Sequence, residues 1–385
     1  MYPMKYRQLG STGLKVSVIS IGCEGFIGKN RAQVKKDIDY LLAQGVNFID
    51  MYSPDPDFRK NLGSAIAGRR EKIIIEGHLC SVWQNGGYMR SRNIKLVKQA
   101  FESMLAELGT GYVDVGMIHY VDSLNDWKKI SEGPIMKYAE QIKAEGKIKH
   151  IGLSSHNPEV ADAAVRSGKI EVLLFAINPC YDMQPAGEDV EQLWADENYA
   201  HELKNQDDER KALYELCESR GVGIDVMKAY GGGDLLDDKL SPFGKAFTPV
   251  QCIHYALTRP AVSAVMLGCK TKKEWDSAIV YCSAAAKEND YAQMLSGLDR
   301  FKFEGHCMYC GHCGPCAAGI DIAAVTKFLN LTIAQGAVSE TVRDHYDLLK
   351  HHASECIECG RCVRNCPFGV EIIDNMKKAA EIFGR

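Results

Sequence analysis

The chain has 385 residues, 46% of them hydrophobic and 25% charged, with a net charge of −4, as expected of an ordinary globular protein. The slightly acidic balance excludes a basic nucleic-acid-binding surface, and no apolar run approaches the ~18 residues of a membrane-spanning helix. The N-terminus, MYPMKYRQLGSTGLKVS, lacks the apolar core of an export signal, so the expectation is a cytoplasmic protein with neither nucleic acid nor membrane as a partner.

From the N-terminus onward, short apolar runs alternate with helical patterns, the signature of repeated βα units. Strands are predicted at 16–22, 46–52, 72–78, 112–120, 148–155, 172–179, 222–229 and 262–268. Among the helices, NIKLVKQAFESMLAELG stops at Gly109, and PEVADAAVRSG opens with Pro158, a residue suited to the first helical turn. Eight such units in roughly 270 residues predict an α/β fold, a (β/α)8 TIM barrel, over residues 1–295. An open doubly wound sheet is the competing arrangement, and the count of eight disfavours it. The acidic stretch from Cys180 to about Asp208 has no clear period. It follows the sixth strand, so it is expected to form a functional or mobile loop covering the barrel mouth. A helical linker is expected near Asp290–Arg300.

Residues 296–385 are predicted to form a small, mainly α, ferredoxin-like domain. Two cysteine runs define it: Cys307, Cys310, Cys313 and Cys316 in CMYCGHCGPC, and Cys356, Cys359, Cys362 and Cys366 in CIECGRCVRNCP. The second run matches the C-x2-C-x2-C-x3-C-P spacing that holds cubane iron–sulfur clusters. Two zinc sites are the competing reading. A disulfide framework suits short secreted chains rather than this one. In two-cluster ferredoxins the fourth cysteine of each run ligates the other cluster. Two [4Fe–4S] clusters are therefore expected, one on Cys307, Cys310, Cys313 and Cys366, the other on Cys356, Cys359, Cys362 and Cys316. The residues between the runs read as two helices broken at Gly336.

Several barrel segments carry a resemblance. VNFIDMYSPDPDFRKNLGSAIAGRREKIII, YVDVGMIHY and KIKHIGLSSH resemble the second-, fourth- and fifth-strand motifs of aldo-keto reductases. VMKAYGGGDLL and PAVSAVMLGCKT resemble strands seven and eight of a subgroup that ends in a ferredoxin-like domain. The resemblance spans essentially the whole chain. It implies reduction of a small-molecule carbonyl with NADP(H), using an Asp, Tyr, Lys and His tetrad. Asp50 and His119 match that tetrad, but the lysine position is His78 and the tyrosine position is Asp55. Strand alternation places Tyr52 on the same side as Asp50, so Tyr52 is expected to stand in for the missing tyrosine. His78, paired with Asp50, is expected to act as an acid near neutral pH.

The resemblance further assigns the nicotinamide carboxamide to Ser154 and Ser155, and the adenosine phosphate to Gly268, Lys270 and Thr271. Lys228, in strand seven, is expected to face an anionic substrate or cofactor. Cys23, Cys80, Cys180 and Cys269 each follow a strand, so their thiols are expected near one another at the mouth. Nicotinamide gives two electrons and a cluster passes one, so a flavin is a candidate converter, with Gly231–Gly233 as a candidate phosphate cradle. Three functions follow: an NADP-linked oxidoreductase whose clusters exchange electrons with a redox partner protein, an electron-transfer or redox-sensing protein with the barrel as docking scaffold, and a barrel enzyme using cluster electrons without nicotinamide.

Overall fold

The computed structural model describes residues 3–184, 203–204, 206–295, 301–302, 305 and 307–384. Eight parallel strands close into a barrel, β1 (Ile19–Gly22), β2 (Phe48–Met51), β3 (Ile74–Leu79), β4 (Val113–Ile118), β5 (Ile148–Ser155), β6 (Val172–Ala176), β7 (Gly223–Met227) and β8 (Val262–Leu267). Each pairs with its sequence neighbour, and β8 returns to β1, which rules out the open sheet. β5 has the predicted bounds; the runs at 46–52, 112–120, 172–179, 222–229 and 262–268 overshoot, because their last residues continue past the final ladder partner into loops, while β3 runs one residue beyond its predicted end, to Leu79. The first run divides. Lys15–Ser17 pairs with Tyr6–Gln8 as a hairpin, and only Ile19–Gly22 enters the barrel.

Nine helices of eight residues or more accompany the barrel among the described residues: α1 (Arg31–Ala43), α2 (Pro56–Ile66), α3 (Ile94–Leu108), α4 (Leu124–Ser131), α5 (Pro134–Ala144), α6 (Pro158–Arg166), α7 (Asp208–Arg220), α8 (Pro249–Leu257) and α9 (Lys272–Ile279). α3 ends at Gly109 in the left-handed conformation, and α6 begins at Pro158 with Asn157 as its cap, both as the sequence predicts.

Residues along a strand point alternately to the two faces of the sheet. The outward set packs under the helices. The inward set, including Phe48, Val115, Met117, Val172, Leu174, Ala264 and Met266, fills the barrel together with Leu9 and Val16 of the N-terminal hairpin. By the same alternation Asp50, Glu76, His78 and Asp225 point inward, in register Asp50 with Glu76. A barrel interior that is apolar at one end thus becomes acidic and imidazole-rich toward the strand C-termini.

Beyond the barrel, Ile322–Gln335 and Glu340–Asp347 are helical, and the first ends at left-handed Gly336, as expected. Helix Ile372–Phe383 closes the chain, with Tyr346 stacked on Phe383 at 4.0 Å. This region packs on the outside of the barrel, where Ile322–Gln335 meets α7. Of the strand-six loop, residues 185–202 lie outside the described residues, and so does the 296–300 end of the linker. The described remnant Leu203–Lys204 pairs with Phe301–Lys302. No helix among the described residues is long and apolar enough to cross a membrane.

Candidate active site and cysteine sites

At the C-terminal ends of β2, β3 and β4 the inward side chains form a hydrogen-bonded line. His78 Nδ1 lies 2.7 Å from His119 Nδ1, and His119 Nε2 lies 2.8 Å from the Tyr88 hydroxyl. On its other side His78 Nε2 approaches Asp50 Oδ1 to 2.9 Å, too obliquely for a hydrogen bond. With a carboxylate at Asp50 the protons order themselves. The carboxylate favours the proton on His78 Nε2, so Nδ1 of His78 accepts from His119 Nδ1–H. His119 Nε2 then accepts from the Tyr88 hydroxyl. Burial pushes His119 well below the usual histidine pKa, with His78 and Arg92 reinforcing the shift, so its imidazole is neutral at physiological pH.

Tyr88 is the residue that motif reading missed. It stands, half exposed, on an antiparallel hairpin of Ser81–Gln84 with Gly87–Arg90 inserted after β3. Asn85 and Gly86, both at positive φ, make the two-residue turn, and Asn-Gly is the strongest short hairpin signal a sequence can carry. WQNGGY was therefore legible as a hairpin. What it reaches was not. Arg92 clamps the segment by donating to the carbonyls of His119 (2.9 Å) and Tyr120 (2.7 Å) and pairing with Asp126 at 2.7 Å. Burial raises the Tyr88 phenol pKa, while Arg90 and Arg92 pull it down.

Tyr52, the expected stand-in, lies beside the line. Its ring meets that of His78 edge-on, centroids 6.5 Å apart, but the tyrosine bonded to His119 is Tyr88. Burial raises the Tyr52 pKa, and Glu24 and Asp50 add to it, which makes it a poor acid. Asp55, at the family's tyrosine position, caps α2 by accepting from Asp57 N and Phe58 N at 2.9 and 3.2 Å.

Below the line lies a buried pair of carboxyls. Burial pushes Glu76 well above the ordinary carboxylate range, with Asp225 and Asp50 adding to the rise; Asp225 is also pushed up by burial. The pair keeps a proton at neutral pH. A raised folded-state pKa contributes stability that is complete below the unfolded pKa and is lost as pH rises toward the folded value. In urea titrations Glu76→Gln should therefore gain stability relative to the parent as pH rises above the ordinary glutamate range, by up to about 1.4 kcal/mol per pH unit. Parallel curves would show that the pair holds no extra proton. Asp50, Glu76 and His78 also form the one group of three metal-ligand side chains, among the described residues, with ligand atoms within 4.8 Å of one another.

The cofactor residues fare unevenly. Ser154 is buried at the end of β5, and its carbonyl accepts from Val121 N at 2.9 Å. The fully buried Ser155 hydroxyl is within 3.1 Å of Asp122 Oδ1 and 3.3 Å of the Asn157 carbonyl, so its proton is spent inside the wall and is not offered to a carboxamide. Lys228 follows β7 directly, at φ 60. Burial lowers its pKa, against the pull of Glu24 and Asp122 from other strand ends, which places its charge at the mouth. Gly268 and Thr271 flank the start of α9, but Glu274 already occupies that corner. Its carboxylate accepts from Lys270 N at 2.7 Å and from the Thr271 hydroxyl at 3.0 Å. A phosphate would have to displace it.

Gly231, Gly232 and Gly233 all have positive φ, which requires glycine. The amides of Gly231 and Gly233 are bonded to the carbonyls of Lys228 and Tyr230, so the run is a tight turn more than an open cradle. The four strand-end cysteines are buried thiols in the hydrophobic core, no three of them bring their sulfurs within 4.8 Å of one another, and burial pushes Cys80 up to about 11 and Cys269 up to about 12.

The two cysteine runs sort into two sets. Cys307, Cys310, Cys313 and Cys366 line one cavity with Phe368 and Ile372. Cys316, Cys356, Cys359 and Cys362 line a second with Ile320 and Met376. Each set takes three cysteines from one run and one from the other. Four thiols around an apolar-walled cavity fit a cubane cluster.

Residues 18–248 match the aldo/keto reductase family, and residues 349–371 match a 4Fe-4S binding domain. The chain belongs to the aldo/keto reductase family. It is 26% identical over 186 residues to the uncharacterized oxidoreductase YqkF of Bacillus subtilis, spanning 47% of this chain and 58% of that one. To the aldo-keto reductase YhdN of Bacillus subtilis it is 27% identical over 192 residues, spanning 47% and 53%. The chain thus spans little more than half the length of these curated relatives. The aldo-keto reductase AKR11C1 from Bacillus halodurans, in its holo form, superposes with a TM-score of 0.59 at 22% identity, over 75% of this chain and 95% of its own. That likeness establishes the aldo-keto reductase barrel. The 4Fe-4S match holds Cys356, Cys359, Cys362 and Cys366, while the first run lies upstream of it.

Proposed function

We propose that this aldo-keto reductase barrel (residues 1–295) catalyses NADP-linked interconversion of a small carbonyl compound and its alcohol. Residues 296–385 carry two [4Fe–4S] clusters that exchange electrons with a redox partner. The observation that carries the reading is the line Tyr88–His119–His78–Asp50 at the strand ends, where the family keeps its acid–base groups. A nicotinamide would supply or accept a hydride there. Addition of hydride to a carbonyl carbon requires one proton at its oxygen, and removal from an alcohol releases one.

Tyr88 is the outermost member of the line and the one with solvent access. In alcohol oxidation its oxygen accepts the alcohol proton as its own passes to His119 Nε2, and His119 Nδ1–H passes to His78 Nδ1, leaving a His78 imidazolium beside the Asp50 carboxylate. In carbonyl reduction the same moves run outward, starting from the proton that His78 carries beside the Asp50 carboxylate. Lys228 contributes positive charge at the mouth for an anionic group of substrate or cofactor. A hydride carries two electrons and each cluster passes one, so two cluster turnovers balance one hydride, with a bound flavin as the candidate converter.

A second reading, an electron-transfer or redox-sensing protein with the barrel as scaffold, is favoured by one observation: Glu274 and the Ser155–Asp122 contact fill positions a dinucleotide would use. NADPH titration of anaerobically purified protein, followed by fluorescence, separates the two. Saturable binding weakened by Lys270→Ala supports the first; absence of binding supports the scaffold.

A further inference from the structure

Arg259, in the turn between α8 and β8, is a buried cation on the barrel side of the first cysteine run, with 1% of its surface exposed. Its guanidinium packs over Tyr255 at 4.4 Å and lies 5.7 Å from the Tyr309 ring centroid. Nη2 donates to the Thr258 hydroxyl (3.0 Å), to the Tyr291 hydroxyl (2.9 Å) and to the Met308 carbonyl. The Tyr291 hydroxyl donates to that same carbonyl at 2.6 Å. Met308 and Tyr309 stand between Cys307 and Cys310, so the barrel grips the cysteine loop at its centre through one arginine.

The remaining donors, Nε and Nη1, are buried without a hydrogen-bond partner. Among the described residues no carboxylate forms an ion pair with this guanidinium, and the buried Asp182 acts on it only at longer range. A buried, unpaired cation is costly and calls for a nearby anion. The other charge beside Cys310, Asp290, is already paired with His312 at 2.7 Å. Around the second cysteine set the charges are of a different kind. Arg361 and Arg364 are exposed, and Lys377 is paired with Glu358 at 2.8 Å, where water screens them.

We infer that Arg259 is the internal counter-charge of the cluster held by Cys307, Cys310, Cys313 and Cys366, and that it holds that cluster's reduction potential up. This rests on the two-cluster reading above. A cubane on four thiolates is anionic, and taking one electron from a one-electron donor adds a further negative charge. A fixed guanidinium in a dry environment stabilises that added charge far more than an exposed one does.

The test compares Arg259→Gln, which keeps donors for the Met308 carbonyl without the charge, with Arg259→Lys, which keeps the charge. Full-length protein, purified anaerobically, is titrated with dithionite under EPR after iron analysis, and the first cluster is assigned by its absence from Cys366→Ser protein. Arg259→Gln should lower the first cluster's potential by at least a tenfold change in its reduction equilibrium, 59 mV for one electron, and leave the second cluster unmoved. Arg259→Lys should stay near the parent. Equal potentials in Arg259→Gln and the parent would overturn the inference, as would a shift in Arg259→Lys as large as in Arg259→Gln. If Arg259→Gln loses the first cluster, retention of it by Arg259→Lys supports the counter-charge, and loss from both overturns it. A parent with fewer than two clusters would instead defeat the two-cluster reading, which the iron analysis reports separately.

Discussion

Replacing Tyr88 with phenylalanine is expected to lower turnover of small aldehydes by roughly 10²–10³-fold, the usual worth of a positioned general acid. The loss should fall on kcat, with KM little changed, because the hydroxyl acts on the proton and not on the resting substrate. Tyr88 is 50% exposed and sits on a hairpin outside the core, so its folding stability should move by no more than about 0.5 kcal/mol. The measurement is NADPH oxidation across a panel of small aldehydes, with Tyr52→Phe beside it. Should Tyr52→Phe carry the large loss and Tyr88→Phe the small one, the proton donor is Tyr52 after all. The pH profile adds an independent reading. His119 is held well below the ordinary histidine range by burial, so its protonation is not expected to give an inflection near 6.5.

The second large effect concerns iron. Two cubanes hold about eight iron atoms, and Cys366→Ser should leave about four. Taken run by run, Cys366 would go with Cys356, Cys359 and Cys362, whereas the crossed assignment expected from the ferredoxin spacing gives it to Cys307, Cys310 and Cys313, and the structure lines one cavity with Cys366 and those three. Double substitutions decide between them. Cys307→Ser with Cys366→Ser removes two ligands of one cluster and should still leave about four irons. Cys356→Ser with Cys366→Ser removes one ligand from each cluster and should leave almost none. The opposite pattern would return each run to its own cluster.

Much of the barrel was legible because parallel strands buried on both faces read as unbroken apolar runs. VLLFA and VSAVML show this. What the sequence does not display shares one cause. Strand alternation puts Tyr52 on the face of Asp50, but a hairpin of ten residues carries Tyr88 back over the mouth to His119. Ser155 and Thr271 occupy the family's positions, yet their hydroxyls serve Asp122 and Glu274. Glu76 and Asp225 stand about 150 positions apart, and only barrel closure brings them together. Arg259 has no motif at all.

The sequence by itself determined the eight strands, the helix stops at Gly109 and Gly336, the family motifs around Asp50 and His119, and the cysteine spacing that calls for iron–sulfur clusters. These are local properties: apolar period, backbone permissiveness and ligand spacing all act within a few residues. Only the tertiary structure decided which tyrosine meets His119, which hydroxyls are already spent, and which buried arginine lies against the first cysteine run. Those outcomes depend on where separate segments arrive in space, and the free energy that brings them there is summed over the whole core.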